Sequence, residues 1–244
     1  MITFHLTSCH DFVHEMQSNS VDLILTDPPY GIDYQSGRRK VKRAKIHDDN
    51  NLDWLPEWSK QMYRVLKPNK HLYCFTRADV HAIFRHYLEE AGFTFIQKLV
   101  WVKNNHGSGD LNGAYAPMHE EILFMCKGQK PKLNGKRIPD VLEFDSVPEN
   151  ERHHPTQKPV DLLRVFIEKS TSAPPSSVHG GRVGDGGLVF DPFAGVASTA
   201  VACIEACNGT KSAPRNFIGC EINYGYHIIG QQRIQSAQSQ IKLL

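Results

Sequence analysis

A carboxylate, two prolines and an aromatic ring stand together at Asp27-Pro28-Pro29-Tyr30. Paired prolines exclude both a helix and a paired strand at that point, so they fix a stiff bend. Asp27 can accept a hydrogen bond from an amino group, the Pro28 carbonyl can accept a second, and Tyr30 offers a flat face. Such a set suits the exocyclic amine of a nucleobase, although a rigid turn from strand to loop would look the same. A second constellation closes the apolar run Leu188-Val189-Phe190, where Asp191-Pro192-Phe193-Ala194-Gly195 follows and a helix over about 197–207 comes next. Strand, glycine-containing turn and helix is a layout for nucleotide-like ligands. Glu221, closing the next apolar run, suits ribose hydroxyls. No GxGxxG is present, which argues against a dinucleotide.

Between these two lies His153-His154-Pro155-Thr156-Gln157-Lys158-Pro159. Pro159 suits the first turn of a helix over Val160 to Lys169. Thr156 and Lys158 at that helix start are available to a carboxylate. The two histidines have no matching ligand cluster, so no metal is expected. Arg38, Arg39, Lys40, Lys42, Arg43 and Lys45 crowd together just after the proline bend. A run of this kind is either a solvated loop or a contact for the phosphates beside a bound base.

The elements that must carry these residues alternate. Residues 2–7, Val21 to Thr26, His71 to Thr76, 93–103, Glu120 to Met125, 188–190 and 216–220 read as strands. Segments 11–17, Trp54 to Leu66, 80–91 (capped by Asp79) and Val160 to Lys169 read as helices, with one closing the chain around Tyr226 and Arg233. This rhythm predicts an α/β fold with a mostly parallel sheet. The simple link between 93–103 and 120–125 predicts a hairpin, hence an antiparallel edge. Residues 127–152 mix Lys127, Lys130, Lys132, Lys136 and Arg137 with glycine and proline, and read as a small insert on the functional edge, perhaps half a surface excursion in character, with one strand at 141–144.

Composition sets the limits. The 244 residues suffice for one large α/β domain, and 40% hydrophobic with 22% charged residues is ordinary for a globular protein. The net charge of +2 confines any nucleic-acid surface to a local patch. Six scattered cysteines without a CxxC pair suggest neither a zinc ribbon nor a disulfide framework. With no signal peptide or spanning segment legible, a cytoplasmic protein is expected.

Taken together, Asp-Pro-Pro-Tyr early, His-Pro-Thr-Gln-Lys-Pro in the middle and Asp-Pro-Phe-Ala-Gly late resemble the amino-DNA methyltransferases. The order resembles their β group, a circularly permuted, Rossmann-like methyltransferase fold. Val65-Leu66-Lys67-Pro68, Trp101-Val102-Lys103 and His119-Glu120-Glu121-Ile122-Leu123 agree with it. The resemblance implies S-adenosylmethionine as cofactor, double-stranded DNA as partner, and no metal. It implies a catalytic half at 1–126, a target-recognition insert at 127–152 and a cofactor-binding half at 153–244. Asp27, Pro28, Pro29 and Tyr30 would then be catalytic. Ser8, Cys9, Asp27, Thr156, Lys158, Asp191, Phe193, Gly195, Ser198, Thr199, Glu221 and Asn223 would face the cofactor, with Lys158 near its methionine part. Arg38, Arg39, Lys40, Lys42, Arg43 and Lys45 would meet DNA. Asp rather than Ser opening the tetrapeptide leans towards adenine N6, with cytosine N4 as the alternative. A binding module without turnover, or an RNA or protein amide methylase, stays open as well. Related enzymes are often dimers, so a homodimer is a further expectation. Two positions depart from the pattern: Ala197 stands where a second glycine is usual, and Ser8 where an acidic residue is usual.

Overall fold

The computed structural model describes residues 1–31, 51–106, 112–172, 187–206 and 215–241. Its elements in chain order are β1 (Ile2–Leu6), α1 (Cys9–Glu15), β2 (Val21–Thr26), α2 (Leu55–Val65), β3 (Leu66–Thr76), α3 (His81–Glu90), β4 (Phe93–Val102), β5 (His119–Lys127), β6 (Val141–Glu143), α4 (Val160–Ser170), β7 (Leu188–Asp191), α5 (Ser198–Glu205), β8 (Asn216–Glu221) and α6 (Tyr224–Ile241). The strands form one sheet in the order β1-β8-β7-β2-β3-β5-β4-β6. Every pairing is parallel except the two made by β5, which runs against β3 and β4. This is the expected mostly parallel sheet with an antiparallel part.

Helices cover both faces, and the strands divide their side chains between them with the period of two that extended backbone imposes. From β2, Leu23 and Leu25 join the core under α4, α5 and α6, while Val21 and Ile24 join the core under α1, α2 and α3. β3 splits in the same way, with Tyr73 and Phe75 against Leu72 and Cys74, and β5 with Ile122 and Phe124 against Leu123 and Met125. Burial on two sides explains why β2 reads as a continuous apolar run. In α2 the buried side chains are Leu55, Trp58, Ser59, Met62 and Val65, one stripe at helical spacing. Among the described residues no helix is long and apolar enough to cross a membrane.

Two local expectations are corrected. The strand foreseen from His71 begins at Leu66, because Lys67 to Lys70 swell out as a bulge between the pairings Val21–Leu66 and Leu23–His71. Pro68, which cannot donate to a ladder, sits within that bulge. Asp79 does not cap α3: Val80 holds the cap position without a side-chain hydrogen bond. The Asp79 carboxylate is instead drawn back to Arg77, at 2.9 Å.

The antiparallel course of β5 also divides the stretch 127–152. Lys127 pairs with Lys70 and Phe93 at the starts of β3 and β4, whereas His119 lies beside Val102 at the finish of β4. Lys130, Lys132, Lys136 and Arg137 therefore follow at the end of the sheet where the parallel strands begin. β6 then carries the chain back alongside β4. Only the residues after Glu143 reach the opposite end, where the parallel strands finish.

Candidate functional site

That opposite end holds a cavity of about 1270 Å³. Its lining comes from the finishing ends of β2, β3, β7 and β8, from the start of β5, and from the segment ahead of α4. Pockets for one drug-sized ligand span about 300–1,000 Å³, so this one has room for more than a single small molecule. Asp27, Pro28, Pro29 and Tyr30 line it, as do Ser8, Cys9, Thr156, Lys158, Asp191, Phe193, Gly195, Ser198, Thr199, Glu221 and Asn223. The basic cluster Arg38 to Lys45 lies outside the described residues.

At the β2 end, Pro28 and Pro29 are buried and Asp27 is half-buried. Tyr30 Oη donates to Asp27 Oδ1 at 2.6 Å, and its ring meets Phe84 edge-on with centroids 6.4 Å apart. Lys158 Nζ donates to Asp27 Oδ2 and, at 3.2 Å, to Thr156 O. It also lies 3.1 Å from Glu120 Oε2, and Lys103 Nζ lies 2.5 Å from Glu120 Oε1. Burial pushes the Asp27 carboxyl upward and the Lys158 charge draws it back, leaving it above its ordinary value. Glu120 resists its own burial because two lysines flank it, and stays below its ordinary value. Each carboxylate oxygen has two lone pairs, so Asp27 keeps acceptor capacity beyond Tyr30 and Lys158.

Across the cavity, the turn after β7 is locked by its own aspartate. Asp191 Oδ1 accepts from Phe193 N at 3.2 Å and Oδ2 from Thr199 Oγ1 at 2.5 Å. Gly195 (φ +54) has open space where a Cβ would stand, so the main chain there can be approached closely. Ala197 adopts the same left-handed region (φ 61) and caps α5. Its Cβ is buried against the backbone of α6, 3.1 Å from where a Cβ on Gly230 would be. The backbone shape of a glycine is thus reached without glycine. Glu221 Oε1 accepts from Asn223 N at 2.7 Å. Burial raises both acids to about 7, Asp191 and Glu221 alike.

Several residues expected at the cofactor have work within the protein. Ser8 Oγ accepts from His10 N at 3.2 Å and caps α1. Asn223 Oδ1 accepts from Tyr226 N at 3.1 Å at the start of α6. Thr156 bonds through its hydroxyl to His154 Nδ1 at 3.1 Å, and the His154 ring rests against Tyr226 with centroids 4.4 Å apart. Ser198 Oγ accepts from Arg233 Nη1 at 3.0 Å. Cys9 is buried. Glu120 and Lys103 were given no role by sequence. The only signal was their place in short stretches that match the methyltransferase pattern.

The permuted order of the two constellations, brought together here at one cavity, agrees with a family model described as DNA methylase, which matches residues 21–232. The chain belongs to the N6/N4 DNA methylase family. YubD of Escherichia coli (strain K12) is 32% identical over 238 residues, covering 98% of this chain and 92% of that one. The DNA adenine methyltransferase YhdJ of the same organism is 28% identical over 256 residues, covering 91% and 79%. Among solved structures, the M1.HpyAVI–SAM complex superimposes with a TM-score of 0.70 at 24% identity, over 96% of this chain and 99% of that one. The cytosine-N4-specific PvuII DNA methyltransferase does so at 0.68 and 16%, over 98% and 92%. These two likenesses concern the fold of this amino-DNA methyltransferase.

Proposed function

We propose that this family member methylates the N6 amine of adenine in double-stranded DNA, with S-adenosylmethionine as donor. One observation carries the reading: Asp27 and Pro28 open into the same cavity as the Asp191–Gly195 turn and Glu221. The residues fit the donor. Open space beside Gly195 admits a ligand against the main chain, Glu221 offers its carboxylate to a ribose diol, and Phe193 supplies an apolar wall. When bound, S-adenosylmethionine supplies an electrophilic methyl group on a sulfonium, so no metal or covalent enzyme intermediate is needed.

The chain's own residues do the rest. Asp27 and the Pro28 carbonyl accept the two protons of the target amine, which favours a tetrahedral nitrogen and frees its lone pair for in-line attack. Asp27 takes up the proton that the methylated nitrogen sheds. Tyr30 stacks on the extruded base, offsetting part of a flipping cost of a few kcal/mol, roughly. Adenine is favoured by the aspartate that opens the tetrapeptide and by the similarity to YhdJ. Nucleoside analysis of duplex DNA incubated with protein and donor tests this. N6-methyladenine is expected; N4-methylcytosine alone would reject the base, and no methylated nucleoside would reject the activity.

A further inference from the structure

Lys158 already has partners in the protein. Its side chain is 6% exposed, its Nζ bonds to Asp27 Oδ2 and Thr156 O, and the Phe75 ring lies 5.0 Å away. The third contact, to Glu120 Oε2 at 3.1 Å, is an ion pair without hydrogen-bond geometry. Glu120 is held from its other side by Lys103. Charges of alternating sign thus run Lys103, Glu120, Lys158, Asp27, from the ends of β4 and β5 through the start of α4 to β2. An ammonium has three protons, and these three oxygens occupy its surroundings. A donor carboxylate could reach Lys158 only by displacing one of them.

We infer that Lys158 is a positioning residue for Asp27, steadied by Glu120 and Lys103, and that it does not ligate the carboxylate of the methyl donor. The inference rests on the proposed function, since it gives Asp27 the task described there. The groups facing Asp27 are Tyr30 from its own turn, Lys158 ahead of α4, Glu120 on β5, Asp191 on β7 and Cys74 on β3. Of these, Lys158 lowers the Asp27 pKa and Glu120 raises it. Removing one charge or the other therefore moves the titration of Asp27 in opposite directions, which a purely structural role would not do.

The experiment is the pH dependence of kcat on an adenine-containing duplex for the full chain, Lys158→Met and Glu120→Gln, with S-adenosylmethionine affinity measured by calorimetry. For Lys158→Met the acid limb should rise by about one pH unit or more, kcat at neutral pH should fall about tenfold or more, and donor affinity should stay within about threefold. For Glu120→Gln the limb should move down. A Lys158→Met protein that loses donor affinity about tenfold while keeping its acid limb overturns the inference, as do limbs that shift together. If Lys158→Met does not fold, Glu120→Gln decides: a downward limb supports, an unmoved limb overturns. If the full chain transfers no methyl group, it is the proposed function that fails. The coupling is then read from carbon-13 titration of the Asp27 carboxyl in the same proteins, where an unchanged titration overturns it.

Discussion

Strand β2 carries an aspartate near each end, and the two live under opposite rules. Asp22, where the parallel strands begin, lies 2.7 Å from Lys67 Nζ and 3.3 Å from Lys70 Nζ, and accepts from Leu188 N at 3.0 Å. It ties β2 to β3 and β7, and although burial pushes its pKa up, Lys67, the Leu188 amide and Lys70 bring it below the ordinary carboxylate value. Asp27, where the strands finish, is held above that value by burial despite Lys158. A carboxylate whose charge is fully answered is a fastener. One whose charge is answered only in part, beside an open cavity, keeps capacity for a ligand.

Exchanging the two roles by mutation is the sharpest way to break this contrast. Asp27→Asn should lower methyl transfer by about 10²–10⁴-fold while the thermal midpoint shifts little, as read by nucleoside analysis beside calorimetric melting. Loss of fold with loss of activity would erase the distinction. Asp22→Asn should do the reverse. Its lysine partners are 38% and 32% exposed, so solvent screening discounts the pair. A cost of about 1 kcal/mol remains, or roughly 2–4 °C in a chain of this size, with transfer unchanged.

Titration separates the two ends again. Asp22, its folded pKa depressed, contributes stability that is present above its unfolded pKa and lost as pH falls through the folded one. Asp191 and Glu221, raised by burial to about 7, have the opposite sign. Folding favours their protonated forms, so their contribution is present at low pH and lost as pH rises towards 7. Without the methyl donor, the thermal midpoint should therefore rise by a few degrees, roughly, between pH 8 and pH 6. Glu221→Gln should flatten that rise. A midpoint that falls over this window would contradict the burial of both acids.

The smallest effect concerns Ala197. A left-handed alanine costs roughly 1–2 kcal/mol, and glycine would relieve this at an entropic cost of about 0.5–1 kcal/mol while vacating buried space. Ala197→Gly should stabilise by less than about 1 kcal/mol in urea melts, with transfer retained. A clear loss of stability would mean that the contact with α6 outweighs the backbone term.

What sequence made legible, and what it hid, follows the same physics. Apolar runs and their periods located most strands and helices because burial on one or two faces leaves that trace. The proline bend and the Asp191 turn were legible because rigid or left-handed backbone demands particular residue types. The first part of β3 was hidden because its bulge is made of polar residues around Pro68. Asp79 misled because a capping residue was visible while its competitor, Arg77, was not weighed. The Lys158–Asp27 pair spans 131 residues, and no local pattern announces such a contact. The placement of Lys130 to Arg137 away from the cavity follows from the reversed direction of β5, a property of the sheet as a whole.

The pairing of β1 with β8 carries one more consequence. Met1 N donates to Asn216 Oδ1 at 2.6 Å, and Phe217 N donates to Met1 O at 2.9 Å. α6 then runs back from the cavity towards the end of the sheet where β1 starts. A short tether joining the two termini, with the chain reopened between α4 and β7, would swap the sequence order of the halves and leave every ladder in place. The geometry of the site is indifferent to which half the ribosome makes first.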